Sequence, residues 1–184
     1  MKLHLGCWHR YIPGWVHVDL CDMPHIDHKT SVDDLSMFED GAADIIYASH
    51  VLEYFDRIEA ARVLAEWRRV LRPGGTLRLA VPDFDALIEV YRRSGTLGTI
   101  LGPLYGRMEI ETPEGPRTLY HRTVYNFADL AALLEENGFC DVRRYDWRQT
   151  VHKDHDDHSQ AYYPHMDKEN GLLISLNVEA TRDE

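Results

Sequence analysis

Two residues near the start of the chain, Gly6 and Asp19, have the types and the spacing of a nucleoside-binding corner. Residues 2–5 alternate polar and apolar side chains, as a short strand does, and they lead directly into Gly6. Residues 15–20 read as a second strand, with Asp19 near its C-terminal end. A glycine lets a ligand approach the backbone, and an acid on the neighbouring strand accepts hydrogen bonds from two ribose hydroxyls.

The corner lacks the G-x-G-x-x-G pattern that seats a pyrophosphate on a helix N-terminus, because Trp8 stands where the second glycine belongs. A ligand with a ribose and an adenine but no phosphate tolerates this change better, and S-adenosylmethionine is such a ligand. The bare pattern of a glycine turn followed by a strand and an acid is also compatible with a chain that binds no nucleoside.

His50 and His121 are the two candidate general bases. His50 follows residues 42–48, a near-continuous apolar run that is typical of a central parallel strand. Together with Ser49 it therefore comes at the C-terminal edge of the sheet, where open α/β sheets bind ligands. His121 stands at the C-terminal root of a glycine-rich segment. Histidine has a pKa near neutrality and suits proton transfer from a hydroxyl group, although both histidines can equally serve as packing or capping residues.

The run His152 to His158 is a further polar cluster, with the sequence HKDHDDH. Imidazole and carboxylate groups at this density can hold a divalent metal ion. The simpler interpretation is a solvated acidic loop, because the chain has eleven histidines but no H-x-x-x-H pair on a clear helix. A metal-binding protein therefore stays open as an alternative.

Alternating strand and helix patterns place these residues on an open α/β sheet. Residues 29–35 predict a short strand that ends in Asp34 and Leu35, which either cap a turn or lie near an adenine at the strand edge. The other predicted elements are a helix at 57–71, a strand at 76–81, helices at 84–91 and 127–136, a strand at 139–147 and a closing strand at 171–181.

Residues 94–122 differ from the rest because glycine and proline recur throughout. We expect an excursion with little regular structure, apart from a short helix near Ile100. Loops this long in compact domains are usually lids, binding loops or disordered segments, and we expect this one to cover the ligand site. No repeat or clear boundary interrupts the sequence, so residues 1–184 are predicted to form a single domain.

The composition limits the partners and the compartment. The 184 residues are 44% hydrophobic and 28% charged, as in soluble globular proteins. The net charge of -11 argues against a nucleic-acid partner and against an anionic membrane surface. Three scattered cysteines and the lack of a signal peptide or long apolar run indicate a cytoplasmic protein. The oligomeric state is open, with a homodimer as one option.

The chain resembles a class I S-adenosylmethionine-dependent methyltransferase, and more narrowly the small bacterial methyltransferases of the type 11 kind. The segments that carry the resemblance are LHLGCWHRYIPGWVHVDL, ADIIYASHVLEYF and EWRRVLRPGGTLRLAVPD, with a weaker match in NFADLAALLEENGF. The resemblance implies a Rossmann-like three-layer α/β sandwich. Its sheet would be seven-stranded and mostly parallel, with the last strand antiparallel.

The resemblance also implies which residues bind the cofactor S-adenosylmethionine: Gly6, Cys7, Trp8, Asp19, Asp34, Leu35 and Ser49. Gly6 would lie under the methionine part, Asp19 would take the ribose hydroxyls, and Asp34 would flank the adenine. The turn that contains His50 would line the methyl-transfer end. The implied activity is methyl transfer to a small-molecule acceptor, such as a sugar or another hydroxyl or amine metabolite.

Trp8 is the main departure from this family's pattern, because relatives usually continue with glycine at this point. Its indole either packs along the cofactor or fills the cofactor's place. The second case defines the leading alternative, a non-catalytic relative that keeps the fold for binding or regulation.

Overall fold

The chain folds into short strands and α-helices that follow one another along the sequence. The computed structural model describes residues 1–112 and 115–184. The strands in this part of the chain are β1 (Lys2–Leu5), β2 (Val16–Asp19), β3 (His28–Lys29), β4 (Ala43–Ser49), β5 (Leu71–Pro82), β6 (Met108–Thr112), β7 (Gly115–Leu119), β8 (Phe139–Arg144), β9 (Tyr162–Tyr163), β10 (Leu172–Leu173) and β11 (Ser175–Arg182). The helices are α1 (Arg57–Val70), α2 (Phe84–Ser94), α3 (Gly98–Tyr105) and α4 (Phe127–Glu136).

The main sheet has seven strands in the order β3-β2-β1-β4-β5-β11-β8. Neighbours from β3 to β5 pair in parallel, whereas β11 runs antiparallel to both β5 and β8. The predicted seven-stranded, mostly parallel sheet with an antiparallel last strand is therefore confirmed. This order brings the C-terminal ends of β1, β2 and β4 to one edge, where the candidate site lies.

Alternate residues of β4 face opposite sides of the sheet. Ile46 and Ala48 belong to the main core, which also contains the buried side of α1 and the α4 residues Leu130 and Leu134. Tyr47 faces the other side and packs with Trp15, in a layer built largely from irregular segments. The sheet is thus covered on both faces, as a buried parallel sheet must be.

Helix α1 begins at a capping box that its sequence encodes. The Asp56 carboxylate accepts the N–H groups of Ile58 and Glu59, and the Glu59 side chain accepts the N–H of Asp56. The buried face of the helix includes Trp67, whose indole N–H donates to the carbonyl of Val32 at 2.8 Å. This bond ties the segment after β3 to the core of the domain.

Some strand ends are shifted, since β5 begins at Leu71 and β8 ends at Arg144, and three other predicted elements differ more from the structure. Strand β3 stops at Lys29, because a turn closed by the Asp34 N–H and the Ser31 carbonyl follows it. The range 94–122 is largely regular: it contains α3 and the antiparallel hairpin β6–β7, while residues 113–114 lie outside the described part. The closing strand β11 begins at Ser175, since residues 172–173 pair with β9 instead.

The hairpin was missed because its glycines and prolines read as structure breakers. In the structure Gly106 has φ +51° and caps the end of α3, so this glycine separates two regular elements. Beyond it, Ile110 on β6 is buried while its neighbours Glu109 and Glu111 are exposed, which is the alternation of a half-buried strand.

Candidate functional site

A cavity of about 100 Å³ lies at the C-terminal edge of β1, β2 and β4. The predicted residues Gly6, Trp8, Asp19 and His50 line it on the sheet side. The hairpin β6–β7 closes the opposite side with apolar side chains from Met108, Ile110 and Leu119. The sheet and the hairpin therefore enclose a small, mostly apolar space around one carboxylate.

Asp19 is held in place by two backbone amides. Its side chain accepts the N–H of Trp8 at 2.7 Å and the N–H of Cys21 at 2.8 Å, one on each carboxylate oxygen. The residue is only 6% exposed. A carboxylate offers about four acceptor positions, so these two bonds leave capacity for two hydroxyl donors from the cavity. Asp19 can thus accept both hydroxyls of a ribose.

Gly6 and Trp8 both adopt left-handed backbone conformations, with φ +62° and +45°. A Cβ atom on Gly6 would lie 2.4 Å from Cγ2 of Val51, so the close approach here is to Val51. Cys7 is buried, and burial raises the pKa of its thiol. The Trp8 indole lies against the ring of His9, with centroids 4.4 Å apart.

The structure places the segment after β3 differently from the sequence prediction. The Asp34 side chain points to solvent and accepts the N–H of Ser36, and Leu35 is fully buried in the main core. Ser31 and Val32 line the cavity, whereas Asp34 and Leu35 do not. The physical reason is that β3 ends early, at Lys29. The residues that line this side of the cavity therefore come about three positions earlier in the sequence than predicted.

His50 is fixed on both sides of its ring. Its backbone has φ +55°, and its N–H donates to the Ala80 carbonyl at 2.7 Å. Nε2 lies 3.1 Å from the Ser175 hydroxyl, and Nδ1 lies 3.3 Å from Oε1 of Glu53. Burial lowers the pKa of His50, so its imidazole is neutral at physiological pH. Its neighbour Ser49 lines an adjoining part of the same edge.

His121 reaches the same carboxyl group from the other direction. Its Nδ1 lies 2.9 Å from the Pro103 carbonyl, and its Nε2 lies 3.7 Å from Oε1 of Glu53. The ring packs edge-on against Tyr54, with centroids 4.8 Å apart. Burial lowers the pKa of His121 as well. The two predicted histidines therefore converge on one acid.

Glu53 is the residue that sequence reasoning missed. It lies in the 3-10 helix Leu52–Tyr54 and is fully buried. A signal was present, since an acid three residues after His50 interrupts the otherwise apolar run VLEYF. A buried acid is rare unless it has a partner or a function.

A second cavity of about 310 Å³ adjoins the first. Trp8, His50, Tyr54 and Met108 line both cavities, so the two spaces share a wall. The second cavity also contains the side chain of His121. Its volume lies at the lower end of the range for small-molecule sites.

The polar loop 152–158 folds onto the sheet. His152 is fully buried, and its ring stacks on Tyr47 with centroids 4.1 Å apart. Asp157 accepts the Tyr47 hydroxyl at 2.5 Å. Within residues 1–112 and 115–184, no group of three or more His, Cys, Asp or Glu side chains is arranged to hold a metal ion.

Comparison with known proteins shows what this chain is similar to. Residues 16–79 match the family model described as a methyltransferase domain. The sequence is 33% identical over 101 residues to the tetracenomycin polyketide synthesis 8-O-methyl transferase TcmO of Streptomyces glaucescens, which is 55% of this chain and 26% of that protein. It is 47% identical over 49 residues to a 37.1 kDa protein in transposon TN4556 of Streptomyces fradiae, which is 27% of this chain and 14% of that protein.

The chain thus spans about a quarter or less of these two relatives. Its fold matches the 1,6-didemethyltoxoflavin-N1-methyltransferase of Burkholderia thailandensis, whose structure contains 1,6-didemethyltoxoflavin and S-adenosylhomocysteine. The TM-score is 0.55 at 16% identity, with 100% of this chain and 71% of that chain covered. The predicted resemblance to methyltransferases and the Rossmann-like fold are both confirmed. No helix in the described ranges has the length and apolarity needed to cross a membrane.

Proposed function

We propose that the chain, of which residues 16–79 match the methyltransferase-domain family model, transfers a methyl group from S-adenosylmethionine to a small-molecule acceptor. The observation that carries the proposal is Asp19, a buried carboxylate with free acceptor capacity in a cavity at the C-terminal edge of the sheet. This edge is where open α/β sheets bind nucleosides. The TcmO relative and the Burkholderia enzyme both act on small molecules, which supports the same class of acceptor here.

The cofactor would be held by residues that the cavity brings together. Asp19 accepts the ribose hydroxyls, and the turn at Gly6 and Cys7 supports the methionine part. Ser31 and Val32 are better placed than Asp34 and Leu35 to flank the adenine. The apolar walls match an adenine, and the carboxylate suits a ribose and a cationic sulfur, so the residues present fit the group.

Binding requires the hairpin β6–β7 to move. The cavity of about 100 Å³ is smaller than the roughly 300 Å³ at which small-molecule sites begin. Strand β6 is linked to the segment after β2 by a 3.4 Å hydrogen bond from the Asp22 N–H to the Glu111 carbonyl. We therefore keep the interpretation of residues 1–184 as one domain in which the range 94–122 covers the site.

The second cavity is the proposed acceptor site. When bound, S-adenosylmethionine supplies a methyl group that its sulfonium already activates. The chain must hold the acceptor in line and exclude water, which the wall shared by Trp8, Tyr54 and Met108 can do. His50 and His121 are the proposed bases for an acceptor hydroxyl, because both are neutral and both line this cavity.

The first test is calorimetric titration of the protein with S-adenosylmethionine. Asp19→Ala should weaken binding by roughly 1–3 kcal/mol, or about 5- to 150-fold, because the ribose hydroxyls lose their acceptor. The matched control is Asp27→Ala, since Asp27 also accepts a backbone N–H of β2, that of His17, but does not line the cavity. Equal affinity of the Asp19 variant and the parent would remove Asp19 from the site.

Melting temperatures accompany both titrations, because each carboxylate also satisfies backbone amides. Methyl transfer is then measured with methyl-labelled S-adenosylmethionine and a panel of phenols, sugars and amines. No heat at about millimolar cofactor would favour the non-catalytic alternative, in which Trp8 fills the pocket.

A further inference from the structure

The carboxyl group of Glu53 is buried beside two histidine rings. The residue is 0% exposed, and no other residue in the described ranges donates a hydrogen bond to Oε1 or Oε2, although its own backbone N–H offsets part of the effect of burial. Burial raises the pKa of Glu53 to about 8. Because an unpaired buried carboxylate is costly, Glu53 carries a proton at neutral pH. Because Glu53 is fully buried, the hydrogen bond from this proton must go to an acceptor within the protein.

The tautomer of His50 follows from a chain of hydrogen bonds that begins at a backbone carbonyl. The Ser159 carbonyl can only accept, so it fixes Nδ2 of Asn177 as the donor at 2.9 Å. Oδ1 of Asn177 then accepts the single hydroxyl proton of Ser175 at 2.9 Å. The Ser175 oxygen must therefore accept from Nε2–H of His50. In neutral His50 the lone pair is on Nδ1, which faces Glu53.

The tautomer of His121 is fixed in the same way. Its Nδ1 contacts the carbonyl of Pro103, which has no proton to donate, so Nδ1 carries the hydrogen. The lone pair of neutral His121 is then on Nε2, which faces Oε1 of Glu53. Nδ1 of His50 lies 3.3 Å from Oε1 of Glu53, and Nε2 of His121 lies 3.7 Å from the same oxygen. Both nitrogen lone pairs therefore face one carboxyl oxygen.

We propose that Glu53 is a positioning residue whose carboxyl proton is shared with Nδ1 of His50 and Nε2 of His121, which matches the tautomer of each ring and couples the two rings. In its ionised form the cluster takes up one proton.

Among the described titratable groups of this cluster, Glu53 is the group expected to change its protonation near pH 8. The described titratable groups that face the cluster are His50, His121, His158, Tyr54 and Tyr125. Burial lowers the pKa of the three histidines and raises the pKa of both tyrosines. The nearby Arg122 guanidinium pairs with exposed acids on α1 instead.

The test is a titration of the free protein by nuclear magnetic resonance, with 13Cδ-labelled glutamate and 15N-labelled histidine. We expect one glutamate signal with a midpoint near 8, far above the usual 4.5, and histidine signals that shift with the same midpoint. His50 should carry its hydrogen on Nε2 and His121 on Nδ1. A Glu53 signal that titrates near 4.5, or the opposite tautomer at either ring, would overturn the proposal.

Glu53→Gln assigns the signal and tests the coupling. Its amide N–H replaces the acid proton as donor, so both tautomers persist while the histidine shifts near pH 8 disappear. Glu136→Gln, at the exposed end of α4, is the matched control and should leave every shift unchanged. Histidine shifts that persist in the Glu53 variant contradict the proposal. The wild-type titration decides the same point without a variant, and failure to bind cofactor would count only against the proposed function.

Discussion

Gly106→Ala offers a direct test of how the range 94–122 is anchored at the site. Gly106 ends α3 at φ +51°, and a Cβ atom there would lie 1.9 Å from Nε2 of His121. No real contact is that short, so the imidazole must leave its position. Gly95 ends α2 in the same way at φ +68°, with no atom within 4 Å of its Cβ position. Gly95→Ala is therefore the matched control.

The magnitude follows from the contacts that His121 loses. A left-handed conformation costs a non-glycine residue about 1–2 kcal/mol, and both variants carry this cost. The entropy that alanine removes from the unfolded chain is also common to both. Gly106→Ala additionally breaks the contact between His121 and the Pro103 carbonyl and disturbs the packing on Tyr54. We expect it to lower the free energy of unfolding by roughly 1–2 kcal/mol more than Gly95→Ala.

Urea denaturation of the two variants and the parent measures this difference. The 15N signals of His121 should also move in Gly106→Ala and stay in place in Gly95→Ala. Equal losses of stability, together with an unchanged His121 signal, would show that the ring does not occupy the space beside Gly106. That result would also contradict the placement of the His121 ring beside Glu53.

Two predictions concern the buried aromatic layer on the other face of the sheet. Tyr47→Phe removes the hydroxyl that donates to Asp157 and should cost roughly 1.5–3 kcal/mol in urea denaturation, whereas Tyr91→Phe on exposed α2 should cost little. Burial lowers the pKa of His152 to about 4 from 6.5, so between these values only the unfolded chain gains its proton and acid removes stability. His152→Phe should therefore become more stable relative to the parent as pH falls from about 6.5 to 4, and a constant difference would contradict this.

Local patterns in the sequence were enough to predict many of the strands and helices. Each pattern depends only on residues that are close together in the sequence. Examples are the apolar run 42–48, the amphipathic residues 57–71 and the helix-ending sequence Arg-Pro-Gly-Gly. Their order carried the resemblance to class I methyltransferases, and that resemblance implied the seven-stranded sheet with its antiparallel last strand, which the structure confirms. The corner was recognisable for the same reason, since Gly6 directly follows β1 and Asp19 is the last residue of β2.

The chemistry of the site depended on contacts between distant parts of the chain. His50 and His121 are separated by 71 positions, and only the folded sheet and the segment after the hairpin bring both to Glu53. Ser31 lines the cavity in place of the predicted Asp34 because β3 ended early, which its pairing with β2 decided. Burial, tautomers and raised or lowered pKa values arise from what surrounds a group in space, and that information is absent from any local pattern.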